Sequence, residues 1–293
     1  MIQNTPLVYD AVPNIKKQMP GTTVMDLIHS VAEKPDGADL ISTTRDGGGR
    51  MDLRIAISGV IRDRLVRLGI SENKIRLIRN GIDLEHFSMA PRRVDSGPRH
   101  ILFAARLDSN KRPALLVDIA LSLARRRGQL DFRFVVAGDG PEEDSLRRRV
   151  HETATGHLFV FCGQVPDLRP LLMDTDVVVL LSRNEGIPMV ILEAFASGLP
   201  VVASDVGAIQ EVVDDADGIL IENGEAEADR FAAAIDGLLD HPELRTKMGI
   251  EGRRRVEAEY DRARFRQVYR ELFRELLTQR RKTECNCHSP SSN

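Results

Sequence analysis

Short runs of β-branched and other apolar residues alternate with helical patterns through most of the chain after His100. Six such runs predict strands, at residues 101–105, 132–137, 157–162, 177–181, 200–204 and 218–222. Apolar residues at helical spacing between them predict helices at residues 113–127, 142–152, 167–173, 188–197, 207–214 and 226–240. Alternation of this kind is typical of a parallel sheet covered by helices on both faces. We therefore predict an α/β, Rossmann-like domain with six strands.

The pattern before residue 90 is similar but shorter. Helices are predicted near residues 8–18 and 60–68, and strands at 24–30, 53–58 and 75–80. Three strands are fewer than an ordinary doubly wound sheet contains, so we expect residues 1–90 to form a partial α/β domain. The polar stretch at 89–98 contains Pro and Gly and predicts an interdomain linker before a complete domain at 91–260.

The chain ends in a long amphipathic helix, predicted over residues 261–282, and a polar tail. Apolar side chains form one stripe along that helix: Phe265, Val268, Tyr269, Leu272, Phe273 and Leu276. The tail at 283–293 has no periodicity, and we expect it to be disordered. Cys285, Cys287 and His288 supply only three metal ligands and no scaffold, so the sequence predicts no metal site.

Composition narrows the class of protein. The chain has 293 residues, of which 42% are hydrophobic and 29% charged, and this globular mix excludes collagen-like and disordered proteins. A net charge of −3 gives no general attraction to nucleic acid. The longest apolar run, at 177–181, is far too short to cross a bilayer, and the first residues do not form a secretory signal. Three cysteines cannot form a disulfide framework and suit a reducing compartment. The sequence therefore predicts a soluble cytoplasmic protein.

The segment richest in candidate chemistry follows the predicted strand at 177–181. Gly186 permits a turn there, and Pro188 suits the first turn of a helix. The loop would present backbone N–H groups and a helix dipole at the edge where parallel sheets bind ligands, an arrangement that binds phosphate. Glu185 precedes this helix and Glu193 lies inside it, and their carboxylates suit the hydroxyl groups of a sugar or a ribose.

Two further segments end at the same predicted edge. Arg106 and Lys111 follow the first strand of this domain, and together they could neutralise a diphosphate. Gly138 and Gly140 follow the second strand, where glycine lets the backbone approach a ligand or simply turn. Both interpretations stay open for these two glycines.

These segments together resemble the family 4 retaining glycosyltransferases of GT-B fold. The resemblance covers residues 24 to about 275 and is carried by EGIPMVILEAFASGLPVVASDVG, AARLDSNKRP, VVAGDGPEEDSL, FCGQVPDLRPLL and VIRNGIDLEHF. It implies a GT-B-type α/β fold, with one complete Rossmann-like donor domain and a partial Rossmann-like acceptor domain. It also implies that the helix at 261–282 packs back on the N-terminal part.

The resemblance assigns roles to the candidate residues. Arg106 and Lys111 would contact the donor diphosphate. Glu193 would contact the ribose, and Glu185 the donor-sugar hydroxyls near the reacting carbon. His29 matches a histidine on the acceptor side of the cleft. Further donor contacts would come from Gly138, Gly140 and the backbone near Gly186, Ile187, Pro188, Met189 and Val190.

The implied reaction is transfer of a sugar from a nucleotide diphosphate sugar to a hydroxyl acceptor, with retention and without a metal or another cofactor. The acceptor would be a glycan or a lipid-linked molecule, in polysaccharide or glycolipid synthesis. Lipid-linked acceptors would bring peripheral contact with a membrane. The arginine runs at 147–149 and 253–255 are therefore either solvated helix faces or a basic patch against anionic lipid.

The chain departs from the family pattern in its first part. It lacks the strand and the glycine-rich loop with which the acceptor domain usually begins. We therefore keep an alternative, a catalytically incomplete fragment or subunit that binds a nucleotide sugar and takes the rest of its acceptor domain from a partner. An epimerase or a phosphorylase of the same fold is a weaker alternative, because the former uses other cleft residues and the latter needs a pyridoxal-binding lysine that we cannot place.

Overall fold

The computed structural model describes residues 2–3, 6–19, 21–29, 51–89, 97–128 and 131–286. The chain divides into two compact units: the first is Met1–Gly81 with Arg262–Asn293, and the second is Ile82–Asp261. The division falls at residues 81 and 82, ahead of the linker predicted for 89–98, of which residues 90–96 lie outside the described residues. The predicted donor and acceptor roles of the two parts stay predictions.

The described residues of the first unit form a sheet of four parallel strands. These are β1 (Ile2–Gln3), β2 (Met25–Ile28), β3 (Leu53–Ala56) and β4 (Ile75–Leu77), side by side in that order. Its described α-helices are α1 (Pro6–Gln18), α2 (Gly59–Arg67) and the C-terminal helix α9 (Arg262–Asn286). The sequence does not predict β1, because a two-residue strand is too short to show a periodic pattern.

The core of the first unit joins segments that are distant in sequence. Leu53 and Ile55 of β3 and Ile78 are buried together with Leu272 of α9. Most of the apolar stripe predicted for α9 packs against this cluster. Phe273 is the exception, because 46% of it is exposed.

The second unit is built on a six-stranded parallel sheet. Its strands are β5 (Arg99–Ala104), β6 (Phe132–Ala137), β7 (Phe159–Gly163), β8 (Val177–Leu180), β9 (Val201–Ser204) and β10 (Gly218–Ile221). Their order across the sheet is β10-β9-β8-β5-β6-β7. These are the six strands that the sequence predicts, and the apolar runs succeed as predictors because strands buried on both faces have little polar surface.

Helices connect the first five of these strands in chain order, and two more follow β10. They are α3 (Leu115–Arg127), α4 (Glu143–Glu152), α5 (Arg169–Met173), α6 (Met189–Ala196), α7 (Glu227–Asp240) and α8 (Pro242–Glu259). The buried faces of α3 and α7 share one core with the side chains of β5 and β6, including Phe103 and Phe134. This core holds the strand ends in fixed positions, so loops that follow them can present side chains accurately.

Two predicted elements differ from the structure. The helix predicted for 207–214 is a single 3₁₀ turn, Ile209–Glu211. The segment is limited at both ends, because Gly207 has a left-handed φ of +60° and the Asp214 amide donates to Asp217 Oδ1 at 2.9 Å instead of to a helical carbonyl. In addition, α9 continues to Asn286, so the first residues of the tail predicted to be disordered are helical. Residues 287–293, with Cys287 and His288, lie outside the described residues.

Several arginines of the two runs form contacts within the protein. Their contacts are Arg147 to Glu143, Arg149 to Asp118, Arg253 to the carbonyl oxygens of Phe87 and Ala196, and Arg255 to Asp214 and Asp217. The run at 147–149 is largely exposed, whereas Arg253 and Arg255 are mostly buried in their contacts. Within the described ranges, no helix is both long and apolar enough to cross a membrane.

Candidate functional site

The predicted site residues of the second unit gather at the carboxyl edge of its sheet. β5, the first strand of this unit, lies at the centre, with β6 and β7 on one side and β8, β9 and β10 on the other. The loops after β5 and β8 therefore leave neighbouring strands where the strand order reverses. Crevices at such switch points are the usual ligand sites of open α/β sheets.

The loop after β5 positions Arg106 and Lys111 through a turn at Asp108. Asp108 Oδ1 accepts hydrogen bonds from the amides of Asn110 and Lys111, each at 3.1 Å. Leu107 is fully buried and anchors the loop on the core. Arg106 Nε lies 3.5 Å from Asp108 Oδ2, and 71% of the Arg106 side chain is exposed. The guanidinium therefore faces solvent beside the switch point.

Lys111 and Glu185 form an ion pair that joins the loop after β5 to the loop after β8. Lys111 Nζ donates to Glu185 Oε1, and the hydroxyl of the buried Ser182 donates to the same oxygen at 2.5 Å. The Lys111 and Glu185 side chains are only 22% and 11% exposed. An ammonium group has three donors, so two remain for an anion besides the one that Glu185 accepts. The pair thus holds both groups in place at the switch point.

The amino end of α6 supplies backbone donors next to Glu185. Pro188 is the N-cap and has an extended backbone with ψ of 121°, so α6 begins at Met189, close to the predicted start. Gly186 and Ile187 are buried in the preceding turn. Among the described residues, the amides of Met189 and Val190 have no backbone acceptor, as is usual in a first helical turn. This helix end favours an anionic ligand.

Glu193 lies one turn further along α6, with its side chain largely buried. No described residue donates a hydrogen bond to its carboxylate or forms an ion pair with it. Burial, and secondarily the negative charge of Asp167, raises the pKa of Glu193 from 4.5 to about 7. A carboxylate without a protein donor can accept hydrogen bonds from ligand hydroxyls, and perturbed pKa values are characteristic of functional sites.

Gly138 and Gly140 have a structural role at this edge. Their φ angles are +137° and +153°, in a range that other residues rarely adopt. A Cβ atom would lie 1.9 Å from the Ala105 carbonyl oxygen at Gly138 and 2.4 Å from the Leu107 carbonyl oxygen at Gly140. Close packing of the two loops is therefore sufficient to require glycine at both positions. Their contact with a donor stays a prediction.

His29 belongs to the first unit. It directly follows β2 and is exposed. Its predicted role at an acceptor is not tested by its surroundings and stays a prediction. The first unit also contains a cavity of about 640 Å³, which the predicted site residues do not line; its walls are Arg62, Asp63, Val66, Arg67, Glu72 and Ile75.

Sequence reasoning missed Arg112, which follows Lys111. Its guanidinium forms two hydrogen bonds with Glu227, at 2.6 and 2.8 Å, and also donates to Ser204 Oγ at 2.9 Å. The same side chain reaches the Leu181 carbonyl oxygen and Asn223 Oδ1. Arg112 thereby ties the ends of β8, β9 and β10 to the loop that carries Lys111. The position of Arg112 directly after Lys111 could have drawn attention to it. Its partner could not be predicted, because Glu227 lies 115 residues away in the sequence.

Known glycosyltransferases are similar in sequence to the chain that forms this site. A family model for group 1 glycosyl transferases matches residues 86–255. D-inositol 3-phosphate glycosyltransferase of Pseudarthrobacter chlorophenolicus is 34% identical over 192 residues, which cover 62% of this chain and 46% of that protein. Alpha-maltose-1-phosphate synthase of Mycobacterium tuberculosis is 32% identical over 248 residues, which cover 76% of this chain and 62% of that protein. The chain thus spans about half the length of the curated relatives it matches.

A solved structure extends the likeness to the fold. The structure of HepE from Anabaena superposes with a TM-score of 0.80 at 19% identity, over 92% of this chain and 76% of that chain. The α/β, GT-B-type fold predicted from the sequence is thereby confirmed. The matched family segment includes β5 to β10 and the candidate site residues from Arg106 to Glu193. The chain belongs to the group 1 glycosyltransferase family.

Proposed function

We propose that the second unit binds a nucleotide diphosphate sugar and that the protein transfers its sugar to a hydroxyl acceptor with retention at the anomeric carbon. The observation that carries this proposal is the cluster at the switch point, where Lys111, Glu185 and the amino end of α6 lie together. The cation and the free amides of this cluster suit a diphosphate, and its fixed carboxylate suits hydroxyl groups.

The proposed step breaks the bond between the anomeric carbon and the diphosphate oxygen, and it forms a bond from that carbon to the acceptor oxygen. Arg106, Lys111 and the first amides of α6 would stabilise the charge that develops on the departing diphosphate. The departing phosphate oxygen would take the proton of the acceptor hydroxyl. No metal is needed in this scheme, because the cations and the helix end perform the neutralisation.

The two glutamates would have different roles in the donor complex. Glu185 is held by Lys111 and Ser182, so its carboxylate is oriented before a sugar arrives. Glu193 has no donor from the described part of the protein, so ribose hydroxyls could fill that place. Names of similar proteins agree with such a ligand: the HepE structure is described as a complex with UDP and glucose.

The wider role we propose is synthesis of a glycan, a polysaccharide or a glycolipid. The relatives named above act on an inositol phosphate and form a maltose phosphate, so the family resemblance does not select one acceptor. His29 remains the candidate on the acceptor side. Because the chain spans about half of these relatives, the activity of the whole protein is part of the proposal.

The test is donor binding together with donor hydrolysis in the full chain. UDP, GDP and ADP would be titrated by calorimetry, and UDP-glucose, GDP-mannose and ADP-glucose assayed for sugar release, with NMR reading the anomer first formed. We expect one nucleotide to bind and its sugar to be released with retention, unaffected by EDTA. Glu185→Gln should reduce release by about 100-fold or more.

The matched control is Glu152→Gln, since Glu152 is exposed at the end of α4, away from the switch point. It should keep both binding and release within twofold of the parent chain. Release that survives Glu185→Gln unchanged would remove Glu185 from the site. Tight binding without release in the parent chain would instead favour the alternative of a nucleotide-sugar-binding subunit that requires a partner for transfer.

A further inference from the structure

The outer surface of α9 carries a stripe of basic and apolar side chains. We define the α9 stripe as Arg266, Arg270, Arg274, Phe273 and Leu277. The three arginines are exposed, and Phe273 and Leu277 are 46% and 60% exposed. At 3.6 residues per turn these five positions span about 100° of the helix and extend roughly 16 Å along its axis.

The α9 stripe points away from the face that α9 buries. Leu272 and Phe265 pack in the core of the first unit, roughly 130–150° around the helix from the middle of the stripe. Phe273 borders the buried face, since its ring lies 6.1 Å from that of Tyr269. The nearest acidic residues of α9 are directed elsewhere: Glu275 pairs with Arg76 at 3.2 Å, and Glu271 accepts a hydrogen bond from Gln267. The charged side chains of the stripe are therefore all positive, and the helix that carries them packs on the core of the first unit.

The arginines of the stripe differ from several paired arginines of this protein. Arg266, Arg270 and Arg274 form no ion pair with any residue that the structure describes. By contrast, Arg127 bonds to three carboxylates, and Arg149 and Arg255 each pair with aspartate. Like charges at i, i+4 and i+8 disfavour a helix, so this arrangement is opposed by local helix stability. An external anionic partner would offset that repulsion.

Two exposed apolar side chains between the arginines indicate the chemical kind of partner that suits the stripe. Phe273 and Leu277 are four residues apart and lie on the same side as the guanidinium groups. A helix face that combines Phe and Leu with several arginines suits the interface of an anionic bilayer, where rings and alkyl groups enter the headgroup layer and cations meet phosphate. The sequence continues the same helix with the basic residues Arg280, Arg281 and Lys282.

We propose that the α9 stripe docks the protein on a lipid surface rich in anionic headgroups. This inference does not rest on the proposed transferase activity, since it needs neither nucleotide nor acceptor. It also places lipid contact on α9 instead of the arginine runs at 147–149 and 253–255, in which several of the arginines are already bonded to other groups of the protein.

The experiment is co-sedimentation of the full chain with vesicles that lack any glycolipid. One set is pure phosphatidylcholine, and the other contains about three parts phosphatidylglycerol in ten. We expect at least fivefold more protein to bind the anionic vesicles at low salt, and binding to fall as salt rises. The variant R266Q/R270Q/R274Q should lose at least fivefold of that binding, and F273S/L277S should also bind less.

The matched control is R126Q/R133Q/R148Q, which removes the same charge from exposed arginines of the second unit. It should bind anionic vesicles as the parent chain does, and circular dichroism should show that all three variants remain folded. Equal loss in the control, or no preference of the parent chain for anionic vesicles, would overturn the proposal. So would sedimentation velocity that shows a dimer of the parent chain broken by F273S/L277S, because the stripe would then cover a second copy.

Discussion

Glu185 and Glu193 share a short segment, yet their surroundings give them different properties. Glu185 has a cation and a hydroxyl bonded to one oxygen. Glu193 is largely buried and has no such donor, and its pKa is raised to about 7. The sequence identified both residues because of the turn between them. Only the packing of α6 distinguished a carboxylate that is bonded within the protein from one that receives no hydrogen bond from the described residues.

The raised pKa of Glu193 predicts that this residue weakens the fold at alkaline pH. Between pH 4.5 and about 7 the folded protein binds a proton at Glu193 that the unfolded chain releases, so the free energy of unfolding falls as the pH rises. The full shift corresponds to about 3 kcal/mol, and an amide retains part of the burial cost. Glu193→Gln should therefore raise the free energy of unfolding at pH 8 by about 1–2 kcal/mol.

Urea denaturation at pH 4.5 and pH 8 measures this difference. The gain should shrink at pH 4.5, because Glu193 is then protonated in the folded state. Glu152→Gln serves as the control and should show no such pH dependence, since Glu152 is exposed. An equal effect of Glu193→Gln at both pH values would contradict the raised pKa.

At the scale of elements, Arg112 connects several strand ends. Its backbone has a φ of +49°, unusual for a residue with a side chain, and only 13% of its side chain is exposed. The bidentate pair with Glu227 and the bonds to neighbouring loops offset the cost of that conformation. The strand ends that frame the switch point are thus fixed partly by one arginine.

A double-mutant cycle on Arg112 and Glu227 tests this role. Arg112→Met leaves a carboxylate that is only 9% exposed without its main partner, so it should lower the free energy of unfolding by about 3 kcal/mol. Together with Glu227→Gln, the coupling energy should exceed about 1.5 kcal/mol. The same cycle on Arg147 and Glu143 is the control, and it should give about 0.5 kcal/mol or less because that pair is more exposed. Equal coupling in the two cycles would contradict a special role for Arg112.

The sheet of the first unit contains a buried ion pair that no periodic pattern in the sequence indicated. Asp26 of β2 and Arg54 of β3 are directly in register, and their side chains are 0% and 1% exposed. Arg54 Nη1 donates to Asp26 Oδ2 at 3.0 Å. A charged residue inside an apolar run is expected to face solvent, and it is buried here because its opposite charge stands beside it on the next strand.

At the scale of the whole molecule, the first unit depends on a helix from the other end of the chain. Leu272 of α9 is 5% exposed and belongs to the cluster that contains Leu53 and Ile55 of β3. Leu272→Ala should lower the free energy of local unfolding in this unit by roughly 2–4 kcal/mol. Hydrogen exchange at the amides of β3 would measure it.

Leu277→Ala is the matched control, since 60% of Leu277 is exposed, and it should change the same exchange rates by less than about 0.5 kcal/mol. Nucleotide affinity should be unchanged in both variants, because the proposed donor site is formed by the second unit. Unaltered protection of β3 after Leu272→Ala would contradict the packing of α9 against it.

The sequence predicted the order and type of the main elements, because buried parallel strands and amphipathic helices leave periodic patterns. It was less successful where single residues depart from the periodic pattern. The 207–214 segment makes only a single 3₁₀ turn, limited by the left-handed backbone of Gly207 and by the Asp214 amide, which donates to Asp217. The predicted apolar stripe of α9 included both Leu272 and Phe273, but only Leu272 packs in the core, and Phe273 is exposed.

The sequence by itself determined the fold class, the family and the segments that end at the ligand edge, since local spacing and turn residues encode them. Tertiary structure decided which charges meet. Lys111 reaches Glu185 over 74 residues, and Arg112 reaches Glu227 over 115. It also decided that Arg54 is buried while Arg266, Arg270 and Arg274 face outward. Periodicity reports the conformation of one segment, whereas burial and pairing depend on which segments the folded sheet brings together.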